Sequence, residues 1–362
     1  MQRTLAASLG GFIATAVLSV AAASGQASAG DATWRAITRN DVDAAYRLLL
    51  ENHPGAAPAL RDEDFANRLE RGHTLALERA DRVSEYGGYV NTLRGFAGSF
   101  GDDHIAFRPN DRHAPVPLRW AGYVIALRGE NYIVDAVEGQ SDVAVGDRLT
   151  ACDGIQASAL AQRRLAGFFG NWTSRAEHYL AAPYLLIDYG NPFVPTPTVC
   201  TFERHGASIN AALRWRPVDR TQLRPMLSHA APSGAPGFGV RRVGSAYWIA
   251  IQQLDPRAAR VIDEVRAQLP EVRAAPLVVV DVRGNGGGNS DWADSLAEVL
   301  WGKASLAALH GAAPEEPACG KFWRASPGNL QTLETYAARP NEFPDPGIRS
   351  MLDAMKRAIA QG

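Results

Sequence analysis

The stretch that most constrains the fold of this chain runs from Pro276 to Ser290 and reads PLVVVDVRGNGGGNS. Its first half, Leu277 to Val280, contains no polar residue, a pattern typical of a strand covered on both faces. Three consecutive glycines follow, and glycine adopts positive φ angles that other residues rarely take. The next residues predict a helix from Asp291. In an open α/β sheet, sites form where the carboxyl end of a strand meets a helix start, and N–H groups there can converge on a phosphate or a developing oxyanion.

Nucleotide binding fits this glycine turn poorly. The segment from Gly284 to Asn289 reads GNGGGN, which fails the G-x-G-x-x-G pattern of dinucleotide sites at its last position, and no Gly-Lys-Ser/Thr follows as in a Walker motif. The net charge of −1 does not indicate binding to nucleic acid or to an anionic membrane surface. A glycine-rich loop that only reverses the chain is the alternative interpretation.

The first 29 residues have the pattern of a secretory signal peptide. Arg3 precedes an apolar stretch from Leu5 to Ala23, and Ala27-Ser28-Ala29 supplies the small residues of a cleavage site. An uncleaved membrane anchor is the alternative, although the stretch is rich in Ala, Ser and Gly and is therefore only weakly apolar. We predict cleavage near Ala29, a periplasmic or secreted protein, and no stable membrane insertion.

A length of 362 residues predicts two or three domains. Apolar spacing and turn residues predict helices over 41–51, 64–78 and 83–100, strands over 123–127, 131–137, 199–204 and 211–215, and a Pro- and Gly-rich linker at 231–239. A strand–helix–strand–helix series follows over 246–254, 256–269, 277–282 and 291–300, which indicates a parallel α/β unit. The chain therefore divides into an N-terminal helical region (30–112), a small β-rich module (113–222) and an α/β unit (238–362).

The three cysteines are Cys152, Cys200 and Cys319, and their spacing suits no metal site. Two interpretations stay open: Cys152 and Cys200 pair in an oxidising compartment, or all three are buried thiols. Cys319 has no partner in either case. We predict neither a metal nor another cofactor.

Residues 278–290, VVVDVRGNGGGNS, resemble the D-x-R-x-N-x-G-G signature of the tail-specific, or C-terminal-processing, serine peptidases. That family includes the tricorn core and the repeats of retinoid-binding protein. The segment from Gly101 to Ile105 resembles the family's D-G-H-T turn, with Asp103 in place of the glycine and Ile105 in place of the threonine. Further segments that resemble the family are Asn52–Gly55 in its helical region, Val145–Leu149 with Asp153-Gly154 in its PDZ-like module, and Tyr247–Ile251 in the strand that opens its core.

The resemblance implies an α+β multidomain fold with an N-terminal helical region, a small PDZ-like β-rich module and a partial α/β catalytic core of the ClpP/crotonase type. It also implies an exported serine endopeptidase of the tail-specific family that hydrolyses peptide bonds of a protein or peptide substrate through an acyl-enzyme. The alternative is a non-catalytic protein that binds a peptide or an apolar ligand on the same scaffold.

The resemblance assigns site residues as well. Gly287 or Gly288 would donate an N–H to the oxyanion, and His104 would act as general base, a role that suits histidine because its unperturbed pKa lies near working pH. The turn would be held rigid by Asp281, Arg283 and Asn285. A turn histidine that bonds its own backbone is the alternative for His104.

The family's serine nucleophile is not recognisable in its expected place, a Ser-Ala segment at the head of a helix after a further core strand. Residues 302–346 are predicted to be loop-rich and 348–359 to form an amphipathic helix. Ser290 fits a helix cap better than a nucleophile, and Ser326 precedes a proline in a predicted loop. Two parallel strands are also too few for a covered sheet, which typically has about four to six. We expect a truncated chain, or a core completed by a C-terminal segment or partner chain, and no activity from this chain by itself.

Overall fold

The computed structural model of this protein describes residues 29–102, 104–109, 115–169, 172–230, 237–311, 323–339 and 347–361. The predicted signal segment up to residue 28, most of the predicted linker and Cys319 lie outside the described residues. Within those ranges no helix is both long and apolar enough to cross a bilayer. The described residues form twelve α-helices and twelve strands in three sheets, a mixed α/β architecture.

Three helices form the N-terminal region: α1 (Ala29–Asn52), α2 (Glu63–Ala80) and α3 (Tyr86–Gly98). Helix α2 begins after Asp62 because the Asp62 carboxylate accepts the N–H of Phe65 at 2.9 Å. The buried core that the helices share includes Val42, Phe65, Leu69, Leu93, Phe96 and Phe100. All three predicted helices are confirmed, although α1 begins at Ala29 rather than at residue 41.

The central part of the chain contains nine strands and three helices. The strands are β1 (Leu118–Trp120), β2 (Tyr123–Arg128), β3 (Asn131–Val137), β4 (Arg148–Cys152), β5 (Ile155–Gln156), β6 (Ile187–Asp188), β7 (Val199–Arg204), β8 (Ala207–Ala212) and β9 (Arg216–Val218). The helices are α4 (Ala157–Leu165), α5 (Arg175–Ala181) and α6 (Arg220–Ala230). One antiparallel sheet has the order β2-β3-β4-β7-β8, with β5 paired to β4, and a smaller one has the order β6-β1-β9.

Two predicted hairpins are present in the larger sheet. Gly129 turns β2 into β3 and Gly206 turns β7 into β8, each with a positive φ angle. The second strand of the latter hairpin begins at residue 207, not 211 as predicted. Cys152 and Cys200 lie opposite each other on β4 and β7 and form a disulfide, which decides between the two interpretations of the cysteines.

The third sheet contains β10 (Gly239–Val243), β11 (Ala246–Ala250) and β12 (Val278–Asp281), and it is accompanied by α7 (Arg257–Ala267), α8 (Leu269–Ala274), α9 (Asp291–Trp301) and α10 (Lys303–Gly311). Strands β11 and β12 are parallel, as predicted, and β10 adds an antiparallel edge strand that the pattern did not predict. Strand β11 ends at Ala250, four residues before its predicted end. Its Ile249 packs with Val261 and Val265 of α7, so one face of the sheet is covered.

The prediction that β12 is covered on both faces is wrong for the described residues. The exposed fractions are 56% for Leu277, 40% for Val280 and 55% for Val282. The cause is that β12 pairs only with β11 in the described part of the chain, so its other edge is open. A continuous apolar run is therefore left at a sheet edge.

The C-terminal part contains α11 (Pro327–Ala338) and α12 (Ile348–Gln361). The amphipathic helix predicted at 348–359 is confirmed, but the segment predicted to be loop-rich contains α10 and α11. Helix α11 is joined to the end of α1, since the Asn329 side chain donates to Asn52 O at 2.9 Å and Ser326 Oγ donates to Asn52 Oδ1 at 2.7 Å. Helix α11 thus contacts the N-terminal region.

Candidate active site

Asp281 anchors the glycine turn at the carboxyl end of β12. Its buried carboxylate accepts the backbone N–H of Arg283 and Arg283 Nε, both at 3.0 Å, and Trp248 Nε1 at 2.8 Å. The Arg283 guanidinium first, and then the other donors, hold the pKa of Asp281 well below its usual range, although burial opposes this. Because Trp248 belongs to β11, the ionised carboxylate ties the start of the turn to both parallel strands.

Asn285 fixes the middle of the turn. Its Nδ2 donates to Ile251 O at 3.0 Å, and its Oδ1 accepts the Gly287 N–H at 2.7 Å. The Gly287 carbonyl in turn accepts Leu254 N at 2.9 Å and Gln253 Nε2 at 2.6 Å. Both backbone polar groups of Gly287 are therefore committed to internal bonds.

Gly288 differs from Gly287 in having an N–H that donates to no group in the described part of the chain. Its φ angle is +130°, and a Cβ atom there would lie 2.1 Å from Leu254 O. Asn289 N donates to the same Leu254 oxygen at 2.8 Å, which draws the turn against the loop after β11. A side chain cannot fit here, and the bare Gly288 amide is the group that remains for a ligand.

His104 lies in an exposed turn after α3, next to Asp103, which is not among the described residues. Its backbone N–H donates to Asp102 Oδ1 at 2.8 Å, and its ring Nδ1 lies 3.1 Å from the same oxygen. With Nδ1 paired to a carboxylate, Nε2 is the nitrogen that can take a proton. The side chain is 97% exposed, so it is accessible to a substrate.

A second histidine, His53, lines the same cavity of ≈ 580 Å³ as His104. Its ring stacks on Phe65 with centroids 4.2 Å apart, and its Nδ1 accepts the Gly55 N–H at 3.1 Å. Burial lowers the pKa of His53, while the negative charges of Asp102 and Asp62 oppose that shift. From the sequence, His53 was only part of the segment that resembles the family's helical region, because its proximity to the Asp102 turn depends on how α1 packs.

The histidine turn and the glycine turn share no hydrogen bond or ion pair in the described part of the chain. The cavity that both His104 and His53 line includes neither Gly287 nor Gly288.

Neither candidate serine is hydrogen-bonded to a histidine. Ser290 is exposed and makes no side-chain cap, since Asn289 Oδ1 accepts the Asp291 N–H at 3.0 Å in its place. Ser326 is buried and caps α11 by accepting the Asn329 N–H at 3.2 Å. The predicted cap role of Ser290 is therefore wrong, whereas Ser326, which was predicted to lie in a loop, is a helix cap. Within the described ranges, no cluster of His, Cys, Asp and Glu has the arrangement of a metal site.

Comparison with known proteins gives information on the fold alone. No protein-family model and no curated protein sequence matches the chain. Among solved structures, mature CPAF, a chlamydial serine protease, in complex with lactacystin is similar, with a TM-score of 0.50 and 16% identity over 74% of this chain and 59% of that chain. The fold is similar to that of a serine protease.

Two further CPAF structures are among the matches, although their likeness is weaker. Free mature CPAF has a TM-score of 0.45 at 16% identity, and a serine mutant of CPAF has 0.49 at 14%. Each comparison covers 71% of this chain. The chain spans 57–59% of the length of the CPAF chains that it matches.

Proposed function

We propose that this protein is an exported serine-type endopeptidase of the tail-specific kind, which cleaves peptide bonds of proteins or peptides. The observation that carries the proposal is the bare Gly288 N–H at the carboxyl end of β12, on a turn held by Asp281, Arg283 and Asn285. The CPAF-like fold supports the same class of chemistry.

In this mechanism a serine hydroxyl attacks the carbonyl carbon of the scissile bond and His104 Nε2 accepts the hydroxyl proton. The Gly288 N–H donates to the oxygen that becomes negative, an interaction typically worth ~3 kcal/mol in the transition state. The Gly287 N–H could donate to the same oxygen only after its hydrogen bond to Asn285 Oδ1 breaks. The C–N bond then breaks, the proton passes to the leaving amine, and water hydrolyses the serine ester.

The domain organisation of the proposal follows the three regions of the chain. Residues 30–112 would be the helical region, 113–222 a PDZ-like module whose outer strand edge takes up an extended substrate segment, and 238–362 an incomplete core of the ClpP/crotonase type. The open edge of β12, with Leu277, Val280 and Val282 exposed, supports completion of that core by a further segment or a partner chain.

Export is supported by one structural feature. The Cys152–Cys200 disulfide suits an oxidising compartment such as the periplasm or the extracellular space. This location agrees with cleavage of a signal peptide near Ala29.

The alternative is a binding protein for peptides or apolar ligands that retains this scaffold without the chemistry. It is favoured by the internal bond of the Gly287 N–H and by the lack of any described contact between His104 and the glycine turn.

Labelling with a serine-directed fluorophosphonate, followed by mass spectrometry, tests the proposal. We expect no label on Ser290 or Ser326 of the isolated chain, because Ser326 is buried as a helix cap and neither serine is hydrogen-bonded to a histidine that could activate it. We expect a label on another serine of the protein purified from its natural source, lost in a His104→Ala variant. The matched control is His229→Ala, since His229 is also exposed and pairs with a carboxylate, Asp135, at 2.7 Å.

The outcomes separate the two functions. A label on Ser290 or Ser326 would show that one of these serines is itself an activated nucleophile, contrary to the proposal. Peptide binding without any label in the natural protein would establish the binding protein instead.

A further inference from the structure

A cavity of ≈ 610 Å³ lies between the N-terminal helices and the β-rich part, and no residue of the glycine turn or the histidine turn lines it. Its walls come from α3, β1, α5, α6 and the segments around Phe168 and Tyr189. This volume falls within the range of about 300–1,000 Å³ that small-molecule sites occupy. The cavity is independent of the proposed peptidase chemistry.

Three arginines line this cavity, and no aspartate or glutamate does. The side chains of Arg220 and Arg224 on α6 make no hydrogen bond or ion pair with any group that the structure describes. Arg94 of α3 has a single long contact of 3.4 Å, to Asn91 Oδ1. Burial lowers the pKa of Arg94, and the positive charge of Arg220 lowers it further.

A further arginine close to this cavity, Arg119, has a carboxylate partner. It pairs with Asp188, the residue directly before Tyr189. The Asp188 carboxylate is therefore already paired with Arg119. Three cations converge on one cavity without a counter-charge, which favours the entry of an anion.

The rest of the wall is aromatic and aliphatic. Phe169 stacks on Tyr184 with centroids 5.3 Å apart, and Tyr189 meets Phe169 edge-on at 5.5 Å. Leu223 and Leu227 of α6 line the same space as the arginines, because positions 220, 223, 224 and 227 fall on one face of a helix. Burial raises the pKa of Tyr189, so its hydroxyl stays protonated and can donate a hydrogen bond.

We propose that this cavity binds a carboxylate carried on an apolar chain. Arg220 and Arg224 hold the carboxylate by charge-assisted hydrogen bonds, and the Phe169, Tyr184 and Tyr189 rings bury the apolar part. Inorganic phosphate would leave this aromatic wall in contact with water, and a cationic ligand would be repelled by the arginines. A fatty acid and the carboxyl end of a peptide with apolar last residues both supply this chemistry.

The probe for the test is dodecanoate, below its micelle concentration, titrated into the full chain in a calorimeter. We expect one site per chain and binding at least about 10-fold weaker for each of Arg220→Gln and Arg224→Gln, the loss typical of one charged hydrogen bond. Both side chains are exposed on α6, so the variants should fold, which thermal unfolding checks. The control is Arg163→Gln, an exposed arginine on α4 outside the cavity, which should bind dodecanoate like the native chain.

Two comparisons test whether the ligand needs a carboxylate and whether that carboxylate belongs to a fatty acid or to a peptide. Dodecanol should bind at least about 10-fold more weakly than dodecanoate, and equal binding of the two would overturn the proposal, as would full affinity in both α6 variants. A pentapeptide that ends in leucine is compared with its amidated form. If only the peptide with a carboxylate binds, the source is a peptide end, and if only dodecanoate binds, it is a fatty acid. If neither binds, the proposal is wrong.

Discussion

Gly288→Ala is expected to destabilise the glycine turn by about 3 kcal/mol or more. The new Cβ would lie 2.1 Å from Leu254 O and 2.7 Å from Leu254 C, where real Cβ atoms do not occur, at a φ angle of +130°. The backbone strain at such an angle costs about 1–3 kcal/mol, and displacement of Leu254 adds a cost of similar size. The loop after β11 must move, and with it the bond from Asn289 N to Leu254 O.

The matched control is Gly284→Ala in the same turn. Gly284 also has a positive φ angle, +74°, but a Cβ atom there would meet nothing within 4 Å. The Gly284→Ala variant should therefore lose only the free energy of backbone strain, about 1 kcal/mol. Urea unfolding of the two variants measures the difference. Equal losses of stability would show that Gly288 does not approach Leu254 as described.

Reduction of the Cys152–Cys200 disulfide is expected to lower the free energy of unfolding by about 4 kcal/mol. The bond joins residues separated by 48 positions, and the loop-entropy relation gives about this value for a loop of that length. Both cysteines are buried in the core between β4, β7 and the flanking helices, so no other contact compensates for the loss.

Urea unfolding with and without a reductant measures this effect. A Cys152→Ala/Cys200→Ala variant should show the lower stability in both conditions, and a Cys319→Ser variant should respond to the reductant like the native chain. If the reductant leaves native stability unchanged, the two cysteines are not paired in the protein.

Local patterns predicted those elements whose backbone conformation is decided by their own sequence. The run from Leu277 into Asp281 and three glycines specifies a strand and a turn because both depend on local backbone preferences. Strand β10 was not predicted, because its sequence, GVRRV, contains two arginines and follows a Pro- and Gly-rich stretch that indicates a loop. Helix α11 was not predicted, because Ser326-Pro327 was interpreted as part of a loop. A serine followed by a proline at the first helical position is also a signal for the start of a helix.

Features that depend on distant contacts could not be predicted. The exposure of β12 depends on which strand lies beside it, which its own apolar residues cannot show. His53 reaches the Asp102 turn only through the packing of α1 on α2. The cationic cavity joins Arg94 with Arg220 and Arg224, more than a hundred positions later in the chain.

The central claim is that the Gly288 N–H receives the negative charge that develops during acyl transfer. The most direct test titrates a peptide phosphinate, a tetrahedral anion, into ¹⁵N-glycine-labelled protein and follows the amide proton shifts of the glycine turn. We predict a downfield shift of the Gly288 amide proton, as expected for a new hydrogen bond to an anion, with the Gly284 amide proton unchanged. Binding of the phosphinate that leaves the Gly288 signal in place, or no binding at all, would contradict the claim.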